Sequence, residues 1–74
     1  MGVEKIDLNG LKCPQPILKI SMKAPQMHSG DILEAAADCP SFEQDVRNWC
    51  SRANKVLLSV KDTGGGKKIA QIQF

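Results

Sequence analysis

The sequence predicts an α/β (α+β) two-layer sandwich: a four-stranded mixed sheet with two helices on one face, in the order β-α-β-α-β-β. Three observations predict it. Four short segments alternate apolar and other residues with period two, as half-buried strands do. Two segments between them repeat apolar residues at helical spacing instead. Turn-forming residues separate these segments at Gly10, Pro14/Pro16, Ser29-Gly30, Cys39-Pro40-Ser41, Ala53-Asn54 and Gly64-Gly65-Gly66.

Glu4 to Asn9 alternates with Ile6 and Leu8 on one face and reads as the first strand. A helix follows from Pro14 to about Ala24, with Ile17, Ile20 and Ala24 as its stripe and Leu18 and Met22 beside it. Pro14 and Pro16 lie in its first turn, where backbone N–H groups lack helical partners. Pro25 is expected to end or bend it. Asp31 to Ala37 is the second strand. Ser41 then reads as an N-cap with Gln44 three residues on, a capping-box pattern. Phe42, Val46, Trp49 and Ala53 fall at i, i+4, i+7 and i+11 and form the inward stripe of the second helix. Lys55 to Lys61 alternates through Val56, Leu58 and Val60, and Ala70, Ile72 and Phe74 alternate in a last strand. The glycine run between them makes a hairpin. It leads into no helix, so it fails the context a phosphate loop requires.

A chain of 74 residues is expected to form one domain over 1–74. At this size only about 60% of the unfolded surface is buried, so an active site has to lie at the surface or a shallow edge. A net charge of +2 is too small to argue for nucleic acid, and the three aromatics, Phe42, Trp49 and Phe74, read as core rather than stacking platforms. No stable direct nucleic-acid binding is expected. No signal pattern opens the chain and no apolar run approaches the roughly 20 residues of a membrane span. A cytoplasmic protein without membrane contact is the expectation. Thiols stay reduced there, so three cysteines are not a disulfide framework. They are separated by 25 and 10 residues without a C-x-x-C pair, and His28 stands alone, so a metal site is set aside.

Cys13 is the leading candidate for chemistry. It falls where the first strand passes to the first helix, in Gly10-Leu11-Lys12-Cys13-Pro14-Gln15-Pro16. A helix N-terminus carries partial positive charge and free N–H donors, Lys12 is adjacent, and Lys19 can approach from the helix surface. Surroundings of this kind lower a cysteine pKa from about 8.5 into a range of roughly 3.5–7.5. Pro14 and Pro16 fix the local backbone. Buried structural cysteines sit inside apolar periodic segments, and this one lies in a turn. A thioredoxin-like motif would need a cysteine where Pro16 stands, which argues against local dithiol chemistry. A single activated thiolate that accepts and donates a group remains, and sulfur itself needs no cofactor.

Asp7-x-x-Gly10-Leu11-x-Cys13-Pro14-x-Pro16, followed by Lys19, Gly30-Asp31-x-Leu33, Asp38-x-Pro40, Asp45 and Trp49-Cys50, resembles the signature of the TusA/SirA-like sulfur carriers. The resemblance runs over essentially the whole chain. It implies a βαβαββ sandwich whose Cys13 takes a persulfide from a donor such as a cysteine desulfurase or rhodanese. The sulfur would pass to an acceptor protein in tRNA thiolation, molybdenum-cofactor sulfuration or sulfur metabolism. Lys12 and Lys19 would stabilise the anion, and Gly10, Pro14 and Pro16 would shape the junction. The chain departs from the family pattern at Cys39, where a second acidic residue often stands, at Ala53-Asn54, where glycine often leads the turn, and at Pro25.

The rival readings are a non-enzymatic regulatory or RNA/protein-interaction module, since small sandwiches of this order also serve such roles, and a thiol redox protein using Cys13 and Cys39. Cys39 ends the second strand as Cys13 ends the first. It reads as a small residue tolerated before proline, with a second thiol able to receive sulfur from Cys13 as the alternative. Cys50 lies on the apolar stripe of the second helix and reads as core. Asp7 and Asp38 read as caps of neighbouring amides, and Lys23 as part of a solvated helix face.

Overall fold

The computed structural model describes residues 2–74. The elements run β1 (Val3–Asp7), α1 (Gln15–Lys23), a 3-10 turn (Ala24–Gln26), β2 (Ile32–Ala37), α2 (Phe42–Ala53), β3 (Val56–Gly64) and β4 (Lys67–Gln73). The sheet order is β1-β2-β4-β3, with β1 parallel to β2 and the other pairs antiparallel. This is the mixed α+β sandwich that the periodicity predicts. Because β1 and β2 are parallel, the chain leaves both strands at the same edge of the sheet, and the loops that follow them lie side by side.

The core has two layers. Leu33, Ala35 and Ala37 of β2 and Ala70 and Ile72 of β4 alternate inward, while Glu34 and Gln71 between them face the other side and bond each other at 3.0 Å. Ile20 of α1 and Phe42, Val46 and Cys50 of α2 close the same cluster, so both helices cover one face of the sheet. Among the described residues no helix is long and apolar enough to cross a membrane.

Several local expectations are corrected. Pro14 is the N-cap of α1 rather than its first residue; the α-helix ends at Lys23, just before Pro25 as expected, and Pro25 lies inside the 3-10 turn. The buried line of α1 is Pro16 and Ile20, one turn apart, so Leu18 and Met22 project away from it and stay 56% and 67% exposed. In β3, Val56 and Leu58 face outward and Leu57 packs on the core. A register shift between Leu57 and Ser59 inserts Leu58 as an extra residue, which inverts the phase so that Val60 again packs on the core.

The expected capping box does not form either. Ser41 is the N-cap of α2 but makes no side-chain cap bond, and Gln44 turns to Asn48 at 3.2 Å. At the other end of α2, Asn54 adopts φ 58°, and its amide bonds the Cys50 carbonyl. Asparagine tolerates this left-handed conformation, so the Ala53-Asn54 turn closes the helix without a glycine. Trp49 is partly exposed and packs on Phe74, ring centroids 6.2 Å apart.

Candidate functional site

The first loop is built from short polar ties. Leu8, buried, continues the pairing of β1 through its amide to the Ala36 carbonyl at 2.7 Å. The Asp7 carboxylate accepts the Asn9 amide at 3.0 Å and the Asp38 carboxylate accepts the Gly10 amide at 3.0 Å. Both aspartates therefore cap backbone, as the sequence suggests, and Asp38 ties the first loop to the second. Gly10 has φ +86°, a conformation that side-chain-bearing residues rarely adopt. The chain then rises through exposed Lys12 to partly buried Cys13, whose peptide bond to Pro14 is cis.

The electrostatic surroundings of Cys13 differ from the expected set of free helical amides. Pro14 and Pro16 carry no N–H. The Gln15 amide bonds the Lys12 carbonyl at 2.8 Å, and the Ile17 and Leu18 amides bond the Pro14 carbonyl at 3.1 and 3.3 Å. The donor that does reach the thiol is the Ser41 hydroxyl, 3.0 Å from Cys13 Sγ. The same hydroxyl lies 2.9 Å from Asp45 Oδ2 and 3.7 Å from Cys39 Sγ. One hydroxyl proton thus serves two acceptors, a carboxylate and a sulfur.

The second loop brings Cys39 to the same place. Cys39 is buried at 5% exposure, and its Cα lies 5.7 Å from that of Cys13, with the two Sγ atoms in bonding contact. That separation falls inside the range a disulfide needs. The two loops, Gly10 to Cys13 and Asp38 to Ser41, line an open hollow of about 530 Å³. Gly10, Lys12, Cys13 and Cys39 are therefore gathered at one site. Pro14 is exposed beside it, and Pro16 is buried beneath the start of α1. Lys19 lies outside the hollow, on a neighbouring groove with exposed Leu18 and Met22 that shares Leu11.

Among the described residues, the sulfurs of Cys13 and Cys39 and a carboxylate oxygen of Asp45 lie within 4.8 Å of one another. These are the groups that could hold a metal, and they are one donor short of the four found in structural zinc sites. Cys50 takes no part. It is buried in the core, and burial pushes its thiol above the ordinary value, which leaves it protonated and unreactive.

Ser41 and Asp45 are the site residues the sequence reading missed. The available signal was the repeated arrangement of cysteine beside proline at the end of a strand, which the parallel pairing of β1 and β2 turns into proximity. The family model described as sulfurtransferase TusA matches residues 4–73, which takes in both loops and nearly every element. The chain belongs to the TusA sulfurtransferase family. It is 35% identical over 68 residues to an Aquifex aeolicus protein named as a candidate sulfur carrier, covering 92% of this chain and 34% of that protein. Two Neisseria meningitidis proteins of serogroups A and B, also named as candidate sulfur carriers, are each 35% identical over 65 residues, 88% of either chain. The chain thus spans about a third of the length of the Aquifex relative and most of the Neisseria ones.

Proposed function

We propose that this protein is a sulfur carrier that works through a persulfide on Cys13. The observation that carries this reading is a partly exposed cysteine sulfur in an open hollow, with a hydroxyl donor at 3.0 Å, in a chain of the TusA family. The Cys13 thiolate attacks the outer sulfur of a donor protein's persulfide. A bond forms between that sulfur and Cys13 Sγ, the donor's S–S bond breaks, and the donor cysteine leaves as a thiolate. An acceptor protein reverses the step from its own side. Ser41 donates to the sulfur anion, and Lys12 adds positive charge at the rim. An open hollow suits reaction with another protein, because two macromolecules have to bring their sulfurs together.

The donor is of desulfurase or rhodanese type, and the acceptor serves tRNA thiolation, molybdenum-cofactor sulfuration or sulfur metabolism. Exposed Leu18 and Met22 beside Lys19 offer these partners an apolar contact next to the thiol. The work is done in the cytoplasm, by one domain, with neither cofactor nor nucleic acid held by the carrier. Mass spectrometry after incubation with a desulfurase and cysteine, or a rhodanese and thiosulfate, tests this. Wild type gains about 32 Da, one sulfur atom, on the Cys13 peptide. Cys13→Ser keeps the circular dichroism and melting of wild type and gains nothing. An unchanged wild-type mass supports the interaction-module reading instead, and loading that survives in the variant moves the site to another cysteine.

A further inference from the structure

We infer that Cys39 is a resolving thiol that discharges the Cys13 persulfide and releases its sulfur as sulfide, an activity that rests on the carrier reading above. The parallel β1–β2 pair sets two strand-end cysteines at a Cα separation of 5.7 Å, inside disulfide reach, with the Ser41 hydroxyl against both sulfurs. Once Cys13 carries an outer sulfur, Cys39 faces the inner one. The Cys39 sulfur attacks Cys13 Sγ, a Cys13–Cys39 bond forms, and the bond from Cys13 Sγ to the outer sulfur breaks. The outer sulfur leaves with the bonding electron pair and takes the Cys39 proton, becoming hydrogen sulfide. Both cysteine sulfurs are oxidised by one electron each, and the outer sulfur is reduced by two, so no external oxidant enters.

The surroundings decide when this occurs. Cys39 is buried, and the hollow in front of Cys13 is open, so an incoming acceptor reaches the outer sulfur from solvent while Cys39 reaches the inner sulfur from below. A loaded carrier with no partner discharges, and a carrier met promptly by its acceptor delivers. The product disulfide blocks reloading until a reducing thiol opens it, which couples carrier capacity to the thiol state of its surroundings.

The test loads reduced wild type and Cys39→Ser directly with sodium tetrasulfide, removes excess reagent by desalting, and follows intact mass and free sulfide without reductant. Wild type loses the added sulfur, ends about 2 Da lighter than its reduced form, and yields a Cys13–Cys39 disulfide peptide with one sulfide released per loaded chain. Decay is normalised to the fraction loaded at zero time, and Cys39→Ser holds its persulfide at least about ten times longer, because it has lost an internal nucleophile already in position. Equal decay in the two proteins, or wild-type decay without that disulfide peptide, overturns the resolving role and leaves the carrier reading standing. The peptide measurement needs no variant, so poor folding of Cys39→Ser does not protect the idea. Failure of wild type to load at position 13 removes the carrier reading itself, and this inference with it.

Discussion

Asp45 stands where a carrier thiolate should suffer from it, and replacing it tests the electrostatics of the site. Its carboxylate oxygen lies within 4.8 Å of the Cys13 sulfur. At that separation two like charges repel by about 0.9 kcal/mol even at the dielectric of bulk water, and by several times that at the effective value of a protein surface. Asp45→Asn removes the charge. It also frees the Ser41 proton, because the new amide donates to the Ser41 oxygen instead of accepting from it. Both effects favour the Cys13 thiolate. While the thiolate is the minority form, alkylation of Cys13 by iodoacetamide at neutral pH should rise at least about fourfold.

Ser41→Ala should act in the opposite direction. It removes a hydrogen bond to a charged sulfur, a contact of the class worth roughly 1.5–3 kcal/mol, diminished here because Asp45 competes for the same proton. A slowing of about three- to tenfold is expected, read from the Cys13 peptide so that Cys39 does not contribute. Asp45 also lies in the first turn of α2, where a carboxylate stabilises the helix, so Asp45→Asn should melt slightly earlier, by at most about 1 kcal/mol. Faster alkylation through simple loosening is separated by salt. The Asp45→Asn to wild-type ratio should shrink toward one as ionic strength rises, since salt screens the wild-type repulsion. An unchanged or slower Asp45→Asn, or a ratio indifferent to salt, refutes the reasoning.

Cys50→Ser places a hydroxyl without an identified partner in the core, at a residue only 3% exposed, and should cost roughly 1–3 kcal/mol in denaturant unfolding while Cys13 still loads. Normal stability with lost loading would put Cys50 in the chemistry. Leu57→Ala should destabilise measurably and Leu58→Ala by less than about 0.5 kcal/mol, because the bulge turns Leu58 outward; equal losses would contradict that phase. Acid should weaken the fold through two carboxylates. Asp31 is held below its ordinary value by the amides of His28 and Gly2, and Glu43 by hydrogen bonds from Arg47 and Lys68. A lowered folded-state value means the contribution is full above the ordinary values of 3.8 and 4.5 and is lost as pH falls through the lowered ones. The Asp31→Asn and Glu43→Gln proteins should therefore show a shallower fall in melting temperature below about pH 4 than wild type.

The layers of this fold were legible because they rest on local alternation: Leu33, Ala35 and Ala37 in β2, Ala70 and Ile72 in β4, and Phe42, Val46 and Cys50 along α2 all bury as their spacing requires. The errors have a common source. Leu58 is as apolar as Leu57, and only pairing with β4 decides that one is extruded at the bulge. Ser41 satisfies a capping pattern, and only the arrival of the first loop turns its hydroxyl toward sulfur. Sequence located Cys13 from its own neighbourhood and noted Cys39 as a second strand-end cysteine beside a proline. It left Cys39 as a tolerated small side chain and did not single out Asp45. The two lie 26 and 32 positions further on and reach Cys13 through the parallel pairing of β1 and β2. The consequence for the chemistry is specific. Cys39, the position after Asp38, is buried with its sulfur against that of Cys13. A carboxylate at that position would repel a Cys13 thiolate, as the Asp45 carboxylate is expected to. A cysteine there, on the carrier reading, would offer a nucleophile to the inner sulfur of a Cys13 persulfide. On the proposed carrier reading, exchanging an acid for Cys39 at this position would change a site that holds sulfur into one that can also release it.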